Sequence, residues 1–434
     1  FMLPSCVPAT PMDESGANLD YRAIDSFYDY PRVQGLAEMM NAYGIIHNDA
    51  EVVSKIVASQ AHHKKIDGHA PGLSGKDLDT YIAAGVYSDH ECSDIDDALA
   101  KLRRGQFIMI REGTAARNLE ALAPLLTPQY AERCMFCTDD KHPSDLLEKG
   151  HIDYIAREAI NKYGVDPIIA VKAACHHASR YFLLNNRGAI APGYLADFAV
   201  IDNFKDFNVE MVFKKGVLYW NNGVLRDFEA PKIEEYLDKR AHDTFHVSTL
   251  TPDDFRDTRQ RGVLGMIPGE IITTDNGYAD HVDLEKDILK IAVVERHKGT
   301  HHIGLGYIQG YGLKSGAVAT SISHDSHNII VVGTNSADMA FAANYIVEHH
   351  GGIVVVENGT VKGSVVLEIA GIMSDRPLTE VNDQLEAAKD AAFALGVSRG
   401  IDPFMTLSFM ALPVIPKLRI TTRGVVDVDT QQYV

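Results

Sequence analysis

Five apolar, strand-like runs in this sequence each end on residues able to carry protons or hold a cation. They give Glu38 in VQGLAEMMN, His69 in KIDGHAPG, and His90 with Glu91 in GVYSDHE. Arg111 and Glu112 follow in FIMIREG, and Asp139 and Asp140 in CMFCTDD. Imidazole and carboxylate together suit Zn, Fe or Mn, so the set reads as a divalent-metal centre. Each residue also has an ordinary use. Glu38 can start a helix, where the macrodipole favours an acid. His69 and His90 can sit in caps or turns, and Asp139 with Asp140 can form an N-cap and a first-turn acid. Their joint placement at strand ends is what favours shared chemistry.

Other motifs carry less. Cys134-x-x-Cys137 is half a zinc site without a second pair, so core packing is the better reading. No Pro precedes Cys134 and no H-x-E occurs, which excludes the zinc nucleoside deaminases. GLGYIQGYGLKSG (304–316) is neither G-x-G-x-x-G nor a Walker loop and reads as a turn-rich strand pair. SHDSHN (323–328) packs His324, Asp325 and His327 ahead of the apolar run IIVVG, where metal or substrate roles and turn or capping roles are both open.

The elements that would position the strand-end residues are repeated βα units. From Met2 to about Cys175, short β-like runs (1–7, 33–36, 65–68, 84–88, 107–111, 133–138) alternate with amphipathic stretches such as 51–63 and 93–105. In a parallel barrel, polar residues at the C-terminal ends of strands converge on one face. After 176–186 the texture turns Gly-rich and β-like, predicting a small all-β module. A charged helical linker (231–243) then leads to a C-terminal α+β region from about residue 246.

Length and charge bound the rest. The 434 residues predict about three domains. A net charge of −18 repels phosphate backbones and anionic lipid, so neither nucleic acid nor membrane is an expected partner. No run of 18 apolar residues could span a bilayer. Five scattered cysteines (Cys6, Cys92, Cys134, Cys137, Cys175) argue against a disulfide framework and for the cytoplasm.

The strand-end motifs, with FMLPSCVPATP, GLAEMMN, REGTAARNL, CTDDKHP, RGAIAPGYLAD, HDSHNIIVVGTN and DPFMTLSFMALPVIPKL, resemble the bacterial adenine deaminase family of the amidohydrolase superfamily along the whole chain. The resemblance implies an α/β fold: a metal-dependent (β/α)8 TIM-like barrel (1–180), a β-sandwich segment (181–232), a linker (233–245) and the family's C-terminal α+β domain (246–434). It implies a binuclear divalent centre, manganese or iron, with zinc as the alternative. The implied reaction is purine salvage, in which a metal-bound hydroxide attacks C6 of adenine and releases ammonia and hypoxanthine. Glu38 would bridge the metals from the fourth barrel strand, and His69 and His90 would be ligands closing the fifth and sixth. Asp139, from the eighth, would bind metal and take the water's proton. Glu91 is assigned a catalytic part, and Arg111, Glu112 and Asp140 the purine.

One feature departs from the family. Amidohydrolases carry an H-x-H pair after their first strand, and this sequence has none. Adjacent pairs such as 62–63 face opposite sides of a strand and cannot substitute. The chain opens at Phe1, in an apolar segment, without an initiator Met. The expectation is therefore that barrel strands 1 and 2 and half the sandwich lie outside it, leaving metal binding and activity in doubt for this chain alone. Two alternatives accompany the adenine reading: another amidohydrolase deaminase or cyclic amidohydrolase, and a catalytically incomplete fragment. A homo-oligomer is expected by family analogy.

Overall fold

The computed structural model describes residues 1–434. The chain forms two compact units, Phe1–Ser5 with Asp20–Lys232, and Cys6–Leu19 with Ile233–Val434.

In the first unit the predicted βα alternation is present. Strands β1 (Met2–Leu3), β2 (Gly35–Met39), β3 (Lys65–Gly68), β4 (Ser88–Asp89), β5 (Phe107–Arg111) and β6 (Cys134–Cys137) follow one another. They pair in parallel as β1-β2-β3 and β4-β5-β6. One backbone bond joins the two sheets at their seam, from the Tyr87 amide to the Ile66 carbonyl (3.1 Å). Crossover helices return the chain between parallel strands, as that geometry demands. Helix Ala50–Ala61 is capped by Asp49, whose carboxylate accepts the Glu51 and Val52 amides. Helix Ile95–Arg103 is capped by Asp94, with Asp96 and Asp97 in its first turn and Lys101 and Arg103 in its last, each charge complementing the dipole. It buries Ala98 and Leu102 against Ile108, Ile110, Cys134 and Phe136, a core that also takes Ile155 and Ala156. None of the five cysteines is in a disulfide.

The all-β module of the same unit is an antiparallel sheet of β7 (Phe198–Ile201), β8 (Val209–Lys214), β9 (Val217–Asn221) and β10 (Val224–Leu225).

The second unit is built on eight strands: β11 (Arg261–Met266), β12 (Thr273–Ala279), β13 (Ile288–Val294), β14 (Ile303–Gln309), β15 (Ala317–Thr320), β16 (Ile329–Gly333), β17 (Gly352–Glu357) and β18 (Thr360–Val366). Their order is β12-β11-β14-β13-β16-β15-β17-β18, and only β11 and β14 run parallel. β16 is buried throughout, as its β-branched run IIVVG predicts for a central strand. Helix Ser336–Glu348 packs Met339, Ala343 and Ile346 against Val331 and Val354. The 304–316 segment is one strand and a turn rather than the expected strand pair: β14 pairs with β11 and β13, and β15, which follows the turn, with β16 and β17. Residues 310–316 cross over two intervening strands.

The loop after β1 belongs with this second unit. Its ends meet where the Leu19 amide donates to the Val7 carbonyl (2.9 Å). Glu14 accepts from Arg423 Nη2 (3.0 Å) and faces His302 Nδ1 (3.0 Å), and the Tyr433 hydroxyl donates to the Met12 carbonyl (3.0 Å).

Candidate active site

Strand ends β2, β3, β4 and β6 bring Glu38, His69, His90, Glu91 and Asp139 together. Glu38 lies on a bulge: β2 spends one more residue than β3 between Leu36 and Met39, and such a bulge re-aims a side chain. The Ser5 hydroxyl donates to its carbonyl. At the end of β3 the Tyr81 hydroxyl accepts the His69 amide (2.8 Å) and donates to the Met39 carbonyl (2.7 Å), tying two strand ends through one buried side chain. Asp139 has φ +53°, a left-handed conformation that Asp tolerates better than most residues. Opposite, a Cβ on Gly113 would fall 2.4 Å from the Thr138 carbonyl oxygen, so only glycine lets the turn after β5 pass there.

The side chains then close on one another. His69 Nδ1 lies 3.3 Å from Glu38 Oε2 and 3.4 Å from Glu91 Oε1. His90 Nε2 lies 3.1 Å from both of those oxygens. The two rings stand 5.4 Å apart, edge to face. Arg111 grips Glu91 with both ends of its fork, reaches Asp139 Oδ2 with Nη1 (2.8 Å) and Asn118 Oδ1 with Nε (2.8 Å).

Charge in this cluster is shifted as its packing demands. Burial works against ionisation of Glu38, yet His69 and His90 hold its carboxyl well below the usual range. Burial likewise opposes charge on Glu91, and His69, His90 and Arg111 together keep it ionised. Burial pulls both imidazoles down, but the Glu38 and Glu91 carboxylates lift His69 and raise His90 well above the ordinary value. For Asp139 burial prevails, and its carboxyl titrates above the usual range despite His90 and Arg111.

These residues fit a metal. Glu38, His69 and His90 offer ligand atoms within 4.8 Å of one another, as do His90, Glu91 and Asp139, so two triads share one histidine. His69 is 4% exposed, and neither of its ring nitrogens is in hydrogen-bond geometry with any protein group. A buried histidine ordinarily satisfies its nitrogens. One aimed instead at carboxylate oxygens at 3.3–3.4 Å is placed as a ligand is placed.

The other two sequence-nominated residues stand differently. Glu112 Oε2 accepts the Leu119 amide (3.3 Å) at the start of a short helix, and burial raises its carboxyl. The Asp140 carbonyl accepts the Thr114 amide (2.9 Å). Sequence reasoning passed over Tyr81, Asp89 and Lys101, which brace the site from behind. A signal existed: Lys101 falls on the apolar stripe of its helix beside Ala98 and Leu102, where a charge must find a buried partner.

SHDSHN is a tight turn in the second unit. The Ser326 hydroxyl donates to buried Asp13, and His297 Nε2 lies 2.6 Å from the Ser326 carbonyl. Asn328 Nδ2 donates to the Glu14 carbonyl (2.7 Å). His327 accepts the Ser323 amide at Nδ1 (3.2 Å), and His324 stacks on Phe409 with centroids 4.7 Å apart.

Residues 1–219 match the amidohydrolase family, and residues 270–432 match the adenine deaminase C-terminal domain. Adenine deaminase of Desulfatibacillum aliphaticivorans is 44% identical over 442 residues, covering 100% of this chain and 77% of that protein. The chain belongs to the adenine deaminase family. Adenine deaminase of Nitratidesulfovibrio vulgaris strain DP4 is 43% identical over 99% of this chain and 76% of its own. This member of the family therefore spans about three quarters of the length of those relatives. Among solved structures, β-aspartyl dipeptidase of Fervidobacterium islandicum AW-1 is similar at 17% identity and TM-score 0.38, over 48% of this chain and 63% of that one. The amidohydrolase part of the adenine deaminase family is typically metal-dependent, and the two triads are residue groups able to bind one. No helix is long and apolar enough to cross a membrane.

Proposed function

We propose that this family member deaminates adenine hydrolytically to hypoxanthine and ammonia, at a binuclear centre held by Glu38, His69, His90 and Asp139 in an amidohydrolase (β/α)8 barrel. The observation that carries the site is the pair of triads sharing His90, with a buried His69 whose nitrogens have no other use. The adenine assignment rests on relatives of that name matching along nearly the whole chain. Manganese or iron suits the His and carboxylate set, with zinc as the alternative. A bound divalent cation supplies acidity, lowering the pKa of water towards roughly 7.

The protein's own groups do the rest. Asp139, its carboxyl raised by burial, takes a proton from the attacking water and returns it to the leaving amino group as the C6–N6 bond breaks. Glu91, kept ionised, faces both histidines and serves as the second catalytic carboxylate. Arg111 has four of its five N–H donors committed to Glu91, Asp139 and Asn118, so its part is to orient those carboxylates. Glu112 and Asp140 are the groups proposed to meet the purine. Five cysteines, none in a disulfide, support a reducing compartment, the cytoplasm.

The test pairs elemental analysis with ammonia release from adenine, the product identified by chromatography. Hypoxanthine formation that tracks metal content is expected. Metal bound without ammonia release sinks the adenine assignment and turns the search to cyclic amides.

A further inference from the structure

The seam between β3 and β4 carries two of the proposed ligands, and its backbone ladder stops short of them. Beyond the Tyr87-to-Ile66 bond the two strands share no ladder, and side chains take over. The Gly68 amide donates to Ser88 Oγ (3.2 Å), and the Ala70 amide to Asp89 Oδ1 (2.8 Å). The backbones still run close, since a Cβ on Gly68 would lie 2.0 Å from the Ser88 carbonyl oxygen. Lys101 completes the arrangement. Its Nζ donates to the Ala70 carbonyl (2.8 Å), to Asp89 Oδ2 (2.8 Å) and to Asp97 Oδ2 (2.9 Å).

Both the amide and the carbonyl of Ala70, the residue after His69, are therefore held by one ion pair whose acid precedes His90. The Asp89 and Lys101 side chains are 0% exposed. A dry ion pair is weak evidence for stability, because desolvation consumes most of its attraction. It can still fix geometry, and here it grips the residues next to both histidines. Asp89, Cys92 and Asp97 offer ligand atoms within 4.8 Å of one another, but the Lys101 ammonium already stands among those carboxylates as their cation.

We propose that the Asp89–Lys101 pair is a positioning clamp that sets the spacing of His69 and His90, and thereby the metal affinity of the site. The proposal rests on reading Glu38, His69 and His90 as metal ligands. Supporting groups behind metal ligands commonly tune affinity by about 10- to 100-fold. Neither residue of the pair would touch substrate.

The decisive variant is Asp89→Asn/Lys101→Met in the full chain. It removes both charges of the pair and leaves only Asp97, whose side chain is 19% exposed, without its ammonium, and the amide oxygen can still accept from Ala70. The single Lys101→Met strands the Asp89 carboxylate, so its failure to fold would say nothing of the clamp. Mn2+ affinity is read from free Mn2+ by electron paramagnetic resonance, beside thermal unfolding of the metal-free protein, with His69→Ala as the control. The expected result is a metal-free Tm close to wild type with Mn2+ bound at least about 10-fold more weakly. Wild-type affinity in the double variant, with binding lost in His69→Ala, overturns the clamp alone. Equal Mn2+ binding by wild type and His69→Ala overturns the metal reading and the clamp with it.

Discussion

Two histidine-rich clusters in this chain look alike on paper and differ in what their polar atoms do. In the first unit, Glu38, His69, His90 and Glu91 aim their ring nitrogens and carboxylate oxygens at one another, 3.1–3.4 Å apart. In the second unit, SHDSHN and its neighbours spend most of theirs on backbone, with His324 Nδ1 facing Asp325 Oδ1 (3.2 Å) and the Ser326 hydroxyl on Asp13 as the side-chain exceptions. His327 takes an amide, His297 meets a carbonyl, and Asn328 both accepts the Arg296 amide (3.3 Å) and donates to the Glu14 carbonyl. Side chains satisfied by backbone hold a loop in shape. Side chains aimed at other side chains of matching ligand chemistry gain by sharing a cation. The density of His and Asp says little about which is which, and the destination of each nitrogen says more.

The largest effect should come from exchanging the clusters' histidines for alanine. His69→Ala should cost on the order of a thousand-fold in kcat/KM and lose metal, since an electrophilic metal supplies several kcal/mol of transition-state stabilisation. His324→Ala should leave metal content unchanged by elemental analysis. Metal that follows His324 rather than His69 would reverse the comparison.

A second contrast uses two of the three buried arginines. Arg111→Met leaves the Glu91 carboxylate in place without its guanidinium, a buried ion losing its partner, and should cost about 3–5 kcal/mol in urea unfolding. Arg296 donates to the carbonyls of His327, Thr244 and Ala370 and to the Thr244 hydroxyl, and burial lowers its pKa to about 10. Arg296→Met relieves that burial cost while orphaning carbonyls, so a smaller loss of about 1–3 kcal/mol is expected. Equal losses would mean that the Arg111–Glu91 pair contributes no more than the backbone tethers. A finer test lies in kinetics: Arg111→Lys should lower kcat with KM little changed if the guanidinium orients carboxylates, whereas a residue touching purine would move KM.

The βα rhythm was legible because strands such as Phe107–Arg111 and Cys134–Cys137 are short apolar runs and helices such as Ala50–Ala61 and Ile95–Arg103 carry an Asp cap and an apolar stripe. So were Glu38, His69, His90 and Asp139, because strand ends in parallel α/β folds are where polar side chains converge. Hidden from the sequence was the company they keep. That Arg111 would turn to Glu91, and that Lys101 would cross from a helix to Ala70 and Asp89, depends on distances no local pattern encodes. The excursion of Cys6–Leu19 into the second unit was equally hidden. Its anchors, Thr422 and Arg423 on Glu14 and Tyr433 on Met12, lie more than 400 positions away. For SHDSHN the sequence left two readings open, because a turn and a ligand cluster use the same residue types.

The smallest predicted effect sharpens the second cluster's role as a loop held by neutral partners. Burial raises Asp13 from the ordinary 3.8 to about 7, with Ser326, Glu14 and Asp325 facing it. Burial, with Arg296 beside it, lowers His297 from 6.5 to about 4. The two run in opposite directions with pH. Folded Asp13 holds its proton where the unfolded chain has lost it, so its contribution is complete below pH 3.8 and is lost as pH rises through about 7. Folded His297 stays neutral where the unfolded chain is charged, so its contribution is complete above pH 6.5 and is lost as pH falls through about 4. In the wild type these slopes offset between pH 4 and 6.5. Asp13→Asn removes only the first, and the Asn oxygen can still accept from the Glu14 amide, which Asp13 accepts at 2.8 Å. Its Tm relative to wild type should therefore climb by roughly 5 °C from pH 4 to pH 8, with metal content unmoved. Parallel Tm curves for the two proteins would show that Asp13 is ionised in the fold at low pH, and that this loop tolerates the charge that the first unit's cluster must neutralise.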